Sequence, residues 1–315
     1  MLHDRIAAET RFPAKLITRV AQTANHLYKT YAIPKKNGGL RIIDHPAKDL
    51  KLLQRWLVQN VLSQLPVHGS AMAYRRNSGV GENARVHAPF SYMLRVDFEN
   101  FFPSITADDI RSLLRLNRGT LDRIGISSDD FELIVRLACK DGRLTIGAPS
   151  SPALSNAVMF TFDNEWYETA HAMDVAYTRY ADDIYFSTHR PRLLIALLEQ
   201  LRGDLARRPS PRLRINEAKT VFTSRKRRRL VTGLVLTSDN KVSLGRTTKR
   251  RIRTLVFRSG LGDLSREQTM YLRGYISYAR SVDPQFVASL QRRYGEQLER
   301  LRTLDARSDG NLPAH

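Results

Sequence analysis

The sequence predicts an α+β fold of antiparallel strands closed by a helical C-terminal segment, on three observations. Residues 33–43 hold two β-prone runs around Asn37-Gly38. Residues 92–97 alternate in polarity, and residues 175–187 hold two further β-rich runs separated by acids. Beyond residue 240 the pattern turns helical and rich in arginine.

Asn-Gly between short apolar runs is a strong hairpin signal, because both residues tolerate the left-handed backbone of a tight turn. This hairpin presents Lys35, Lys36 and Arg41 around one loop. Leu50, Leu53, Leu57 and Val61 recur at helical spacing, so residues 49–65 are expected to pack one face of a helix. In residues 92–97, Tyr92, Leu94 and Val96 share one face of a strand, while Met93, Arg95 and Asp97 share the other. Asp97 therefore ends a strand.

Thr106 with Asp109 three residues on resembles a capping box, and the pairs Asp108-Asp109 and Asp129-Asp130 read as helix caps. Val175, Ala176, Tyr177 and Thr178 precede, and Ile184, Tyr185, Phe186 and Ser187 follow, a short acidic turn, which makes a hairpin with carboxylates at its tip. Asp283-Pro284 is a good N-cap and first-turn pair. Phe286, Val287, Leu290, Tyr294, Leu298 and Leu301 then fall near one helix face.

A chain of 315 residues, 42% hydrophobic, can bury a sizeable core. Lys and Arg number 51 against 31 Asp and Glu, a formal charge of +20, which implies a polyanionic partner, nucleic acid first. The single cysteine, Cys139, excludes an intrachain disulfide and a Cys-based zinc site. The N-terminus lacks the layout of a signal peptide, and no apolar stretch reaches membrane-spanning length, so no membrane partner and a cytoplasmic location are expected.

Phosphoryl transfer can be run by two Mg²⁺ ions, about 3.5–4 Å apart, that grip the attacking and leaving oxygens of an in-line displacement. Mg²⁺ takes oxygen ligands, commonly one or two carboxylates plus substrate phosphates. The strand end at Asp97 and the hairpin tip at Asp182-Asp183 can supply such carboxylates. Adjacent acids repel, and a metal pair would supply the counter-charge. An Asp-Asp turn alone would be read as a turn. The β flanks, the separate strand ending in Asp97 and the basic excess favour a metal site.

With those residues in view, the chain resembles a reverse transcriptase, and specifically a retron reverse transcriptase, over most of its length from residue 33. Arg95-Val96-Asp97-Phe98-Glu99-Asn100-Phe101-Phe102-Pro103-Ser104 resembles the first palm motif of that family. Gly147-Ala148-Pro149-Ser150-Ser151-Pro152 resembles the next, and Tyr180-Ala181-Asp182-Asp183 is similar to its signature tetrapeptide. Asn83-Ala84-Arg85-Val86-His87 and Val231-Thr232-Gly233 resemble two elements that mark the retron branch.

The resemblance implies a right-hand polymerase fold with an antiparallel-sheet palm and a helical thumb. Residues 1–90 would form the N-terminal segment and fingers, 91–110 the first part of the palm, and 111–150 a fingers–palm connection. Residues 151–240 would complete the palm and 241–315 form the thumb. Asp97, Asp182 and Asp183 would be the catalytic, metal-binding acids, with Asp97 and Asp182 the direct ligands and Asp183 supporting. Phe102 matches a steric gate against the ribose 2′-OH, whereas Phe98 and Phe101 read as core.

Arg41, with Lys35 and Lys36, matches fingers positions that contact the incoming triphosphate, and Lys219 matches a lysine that delivers a proton to pyrophosphate. Gly147 and Ala148 would lie under the nucleotide, where small residues allow close backbone approach. Ile146 stands where many relatives carry Gln. Asn83, His87, Val231, Thr232, Gly233, Arg250 and Arg251 would serve RNA or DNA binding. The run 225–229 and the cluster of Arg246, Lys249, Arg250, Arg251 and Arg253 read as solvated faces or as a track for phosphate. Tyr271, Tyr275 and Tyr278, at helical spacing, read as core or as nucleic-acid contacts.

The function implied is the copying of part of a structured noncoding RNA into DNA from dNTPs. Priming from a 2′-OH would give a branched RNA–DNA product, with a role in anti-phage defence through a separate effector protein. Two rivals stand beside it: a different polymerase, such as a group II intron-like enzyme or an RNA-dependent RNA polymerase, with Phe102 arguing against ribonucleotide use, and a catalytically idle RNA-binding protein on the same scaffold, against which the three filled Asp positions argue.

Overall fold

In the computed structural model, residues 1–35 and 38–303 are described. Lys36 and Asn37 of the expected hairpin turn, and residues 304–315 of the expected C-terminal segment, lie outside the described residues. Two compact units emerge. The first comprises Met1–Ser78 and Tyr92–Phe222, and the second comprises Gly79–Ser91 and the chain from Thr223 onward.

The first unit is built on β3 (Tyr92–Asp97), β4 (Ala176–Tyr180) and β5 (Asp183–Thr188), in the order β4-β5-β3, with β6 (Val221–Ser224) at the far edge. Both internal pairings are antiparallel, and β3 meets β5 so that Asp97 stands opposite Asp183. The alternation expected for β3 fails on one side: Met93 is as buried as Leu94 and Val96. A strand covered on both faces has no solvent side to show in its sequence. Helices Ser151–Val158, Phe160–His171 and Leu193–Arg207 contribute Leu154, Phe162, Trp166, Leu197 and Leu201 to the same core.

The expected N-terminal hairpin forms from β1 (Tyr28–Pro34) and β2 (Leu40–Pro46), both longer than the sequence runs suggest. Pro34 pairs with Leu40, so the connection spans residues 35–39 rather than a two-residue Asn-Gly turn. The amide of Lys35 closes it on the Gly39 carbonyl at 3.0 Å. Lys48–Asn60 forms the expected helix, with Leu50, Leu53 and Leu57 fully buried. It stops short of residue 65, and a short 3₁₀ turn, Leu62–Gln64, follows.

Both expected acidic caps are present. Asp109 and Thr106 exchange bonds as a capping box at the start of Ala107–Leu116, and Asp130 does the same with Ser127. Cys139 is buried, and burial pushes its thiol pKa up to about 12, which disfavours the thiolate. Among the described residues no helix is long and apolar enough to cross a membrane.

The second unit joins the antiparallel sheet of β7 (Arg229–Val231), β8 (Leu234–Leu236) and β9 (Val242–Ser243) to helices Val80–His87, Arg246–Gly260, Arg266–Val282 and Pro284–Thr303. Asp283 caps the last helix by accepting the Phe286 amide at 3.1 Å, as its place before Pro284 suggests. Phe286, Val287, Leu290, Leu298 and Leu301 are buried. Tyr294 leaves helical geometry at φ −134° and ψ 37°, so this helix is broken there rather than continuous.

Candidate active site

Three separate stretches of chain meet at the end of the central sheet in the first unit. The β3–β5 register brings Asp97 beside Asp183 on one sheet face, and β4–β5 turns through Ala181 and Asp182. Ala181 takes a left-handed φ of 57°, unusual for a residue with a Cβ. Two bonds hold the tip: the Phe98 amide donates to the Asp182 carbonyl at 3.0 Å, and Arg179 Nη1 donates to the Ala181 carbonyl at 3.1 Å.

Arg179 is the hidden support of this turn. Its guanidinium and the Asp163 carboxylate are fully buried and joined by bonds of 2.8 and 2.6 Å. Tyr177 Oη donates to the same carboxylate at 2.7 Å, and Asn156 Oδ1 accepts from Arg179 Nη2 at 3.2 Å. Nothing in the local sequence pattern singles out this network.

The acids differ in their partners. Asp183 accepts from Arg95 Nε at 3.0 Å and from Nη2 at 2.8 and 3.0 Å, and Tyr185 Oη completes the shell at 3.2 Å. Its carboxyl pKa still rises to about 6, because burial and the charges of Asp182 and Asp97 outweigh the Arg95 guanidinium. Asp182 is also raised, first by burial and then by the charge of Asp97, with Lys219 and Arg41 opposing. Asp97, 3% exposed, accepts from Lys219 Nζ at 2.8 Å.

Among the described residues no three His, Cys, Asp or Glu side chains gather into a ready-made metal cage. Asp97 and Asp182 nonetheless suit a divalent cation that takes only one or two protein carboxylates and completes its shell with substrate phosphates and water. Asp97 is buried and Asp182 half-buried, and the charge of Asp97 adds to the cost of ionising Asp182, a cost that a cation relieves. The oxygens of Asp183 are already engaged by Arg95 and Tyr185.

The other expected residues of this unit lie as follows. Arg41 sits exposed on β2, and its charge acts on Asp182. Lys35 is exposed at the hairpin end, and Lys36 lies outside the described residues. Phe98 and Phe101 are buried, whereas Phe102 keeps part of its ring open, 6.4 Å from the ring of Tyr74. Tyr74 was not anticipated: it stands 54% exposed, and Asp182's charge, after burial, raises its phenol pKa.

Gly147, at φ 122°, lets the loop touch β2: an added Cβ would lie 2.6 Å from the Asp44 carbonyl. The Asp44 amide donates to the Ile146 carbonyl at 2.8 Å, so the close approach in this fold is to the protein's own hairpin. Ala148 is buried.

The two elements that flank the central motifs in sequence meet in the second unit. Thr232 and Gly233 form a two-residue turn between Val231 and Leu234, with φ of 47° and 86°, the left-handed pair a type I′ hairpin needs. Thr232 Oγ1 donates to the Val80 carbonyl at 3.2 Å, at the start of the helix that carries Asn83 and His87. Asn83, His87 and Val231 are fully buried, so any influence of their side chains on a nucleic acid runs through the surface they shape.

Burial pushes His87 down to about 3 from an ordinary 6.5. The unfolded chain therefore binds a proton that the folded one refuses, and stability falls as pH drops below about 6.5. From pH 7 to pH 5 this group should remove roughly 2 kcal/mol. Urea unfolding of wild type and His87→Gln at both pH values checks this: the variant should lose that part of the pH dependence.

The basic runs divide on inspection. Arg229, 1% exposed, donates to the carbonyls of Ala88 and Thr237 at 3.4 and 2.9 Å and to that of Phe90, so it is a structural residue rather than part of a solvated face. Lys249 is drawn to Asp283 at 2.7 Å. Arg246, Arg250, Arg251 and Arg253 are exposed. Tyr271, Tyr275 and Tyr278 form a ring ladder with centroid steps of 5.3 and 6.1 Å, and Arg251 covers Tyr271, which is 45% exposed rather than core.

Comparison with known proteins places this geometry. A family model described as reverse transcriptase (RNA-dependent DNA polymerase) matches residues 33–255. The chain is 36% identical over 285 residues to the retron Ec83 reverse transcriptase of Escherichia coli, a match covering 88% of this chain and 89% of that protein. It is 34% identical over 287 residues to the retron Ec73 reverse transcriptase of the same organism, covering 88% and 90%. Among solved structures it is similar in fold to the apo telomerase of Candida tropicalis, with a TM-score of 0.50 and 11% identity, over 86% of this chain and 58% of that one.

Proposed function

The chain belongs to the retron reverse transcriptases and is an RNA-directed DNA polymerase of right-hand fold, and on that premise we propose that it copies part of a structured noncoding RNA into DNA with two Mg²⁺ ions at Asp97 and Asp182. The observation that carries this reading is the meeting of Asp97 with the Asp182-Asp183 tip across the β3–β5 register. When bound, the ions would supply charge for the attacking and leaving oxygens of the phosphoryl transfer.

The chain's own groups do the rest. Asp183, held by Arg95 and Tyr185, supports the two ligating acids. Arg41 and Lys35 grip the incoming triphosphate, for which a guanidinium fork is well shaped. The hydroxyl of the growing strand loses its proton to water and forms the new bond at the α-phosphorus as the bond to the pyrophosphate leaving group breaks. Lys219, whose ammonium lies 2.8 Å from Asp97, would give pyrophosphate its proton, a role that its place beside the acids supports. Gly147 and Ala148 shape the seat of the base. The exposed arginines of the second unit, with Thr232 and Gly233 setting a turn beside them in sequence, hold nucleic-acid phosphate, and the +20 charge supports that role.

Phe102 acts as the gate against a ribose 2′-OH. Phe102→Ala should raise the rate of NTP relative to dNTP incorporation by about 100-fold, the scale of one steric exclusion, read by single-nucleotide extension with matched dNTP and NTP.

By family likeness, priming starts from a 2′-OH of the RNA itself and gives a branched product, in a cytoplasmic defence system against phage whose effector is a separate chain. The test is the product co-purified with the chain from its native host. After ribonuclease digestion, its DNA should retain a short RNA remnant that a 2′,5′-debranching enzyme removes. DNA with no such remnant would contradict the priming reading.

A further inference from the structure

Away from the acidic tip, the first unit holds a cavity of about 650 Å³ between the end of helix Leu193–Arg207 and the segment that leads to Lys219. Such a volume suits a ligand of nucleotide size. Its floor is apolar, with Leu205 and Leu213 buried. Its lining carries five guanidinium groups against a single carboxylate, that of Glu217.

The arginines fall into two sets. Arg202 is tied to Glu217 at 2.6 Å and to Glu199, and Arg208 is tied to Asp204 at 3.0 Å and to Glu165. Arg207, Arg212 and Arg214 are exposed and make no ion pair among the described residues. Arg207 lies in the last turn of its helix, where the negative end of the dipole accounts for a cation. Arg212 and Arg214 have no such explanation. They flank the buried Leu213, so the alternation of this segment turns both side chains away from the core.

This segment is joined to the strand that carries Asp97. The Arg214 carbonyl accepts the Glu99 amide at 2.9 Å, and the Asn216 amide donates to the Asp97 carbonyl at 2.8 Å. A cavity with an apolar floor and uncompensated guanidinium forks is therefore carried on a segment that is hydrogen-bonded to the strand bearing Asp97. Guanidinium is the side chain best matched to phosphate oxygens.

We infer that the cavity between Arg207, Arg212 and Arg214 is a second polyphosphate-binding site, distinct from the acidic tip, that holds either a free nucleotide or the triphosphate end of an RNA. The ligand class rests on the polymerase reading, but binding here needs neither metal nor synthesis, so the two can fail separately.

The test uses the full chain in EDTA with a fluorescent N-methylanthraniloyl dATP, titrated by fluorescence anisotropy and competed with inorganic pyrophosphate. Saturable binding displaced by pyrophosphate is expected. The Arg212→Gln/Arg214→Gln double variant should weaken it at least tenfold, while Lys15→Gln/Arg19→Gln, which removes the same charge from an exposed helix face elsewhere in the first unit, should leave it within twofold. Arg212→Lys/Arg214→Lys, which keeps the charge and loses the forks, should fall between. Competition by 5′-triphosphorylated RNA far exceeding that by 5′-hydroxyl RNA of the same sequence would identify an RNA end as the source, failure of both RNAs to compete would identify the free nucleotide, and equal competition by the two would show a site for RNA backbone and overturn the proposal. Equal weakening by both double Gln variants, or binding that pyrophosphate does not displace, would overturn the proposal.

Discussion

Asp182→Asn is expected to lower DNA synthesis by about 1,000-fold or more, the scale set by losing a charged ligand of a catalytic metal, while leaving the fold intact. The second half of that expectation separates a catalytic acid from a structural one. Asp182 is held against two costs, burial and the charge of Asp97, and both raise its pKa. Asn removes the charge and keeps the shape, so the melting temperature should hold or rise. In Asp183→Asn two effects oppose, since the burial cost of the carboxylate is relieved while Arg95 is left half-buried without its partner, so its melting temperature should gain less than that of Asp182→Asn. Steady-state extension rates and thermal unfolding of the two variants, measured together, check both expectations.

Asp163→Ala should destabilise the protein by about 3–5 kcal/mol, the cost of stranding a buried charge. Arg179 and Asp163 are both fully buried, and the carboxylate also accepts from Tyr177. Removing it leaves a guanidinium in the core with Asn156 and the Ala181 carbonyl as its remaining partners. Because that carbonyl belongs to the acidic turn, activity should fall further than the unfolded fraction alone explains. Urea unfolding, with extension assayed at a temperature where the variant remains folded, distinguishes the two losses.

Much of the site was legible in the sequence because its signals are local. Two β-rich runs around Asp182-Asp183 announce a hairpin with an acidic tip, and three-residue spacing announces the caps at Asp109 and Asp130. The partners of the acids were not legible. Arg95 meets Asp183 only because the two-residue repeats of β3 and β5 run in register across 88 positions of sequence. Arg179 looks like any charged strand residue until the core closes over it. Arg229 sits in a run of cations whose other members are exposed, and only three backbone carbonyls of the folded chain distinguish it.

The elements around His87 and Gly233 show another limit. Their order along the chain pointed to a family, but their physical reason appears only in the fold: a left-handed two-residue turn docked, through Thr232, on the first residue of the helix that buries Asn83 and His87. The hairpin of β1 and β2 was legible in kind and missed in detail, since the register of Pro34 with Leu40 fixes a longer connection than Asn-Gly suggests.

Extension of a DNA primer on an RNA template, with Mg²⁺ and either dNTPs or NTPs, compared between wild type and Asp182→Asn, tests the central claim most directly. Wild type should make DNA from dNTPs and little product from NTPs, and the folded variant none above background. Equal synthesis by the variant, or a wild type that prefers NTPs or makes no DNA, would contradict it.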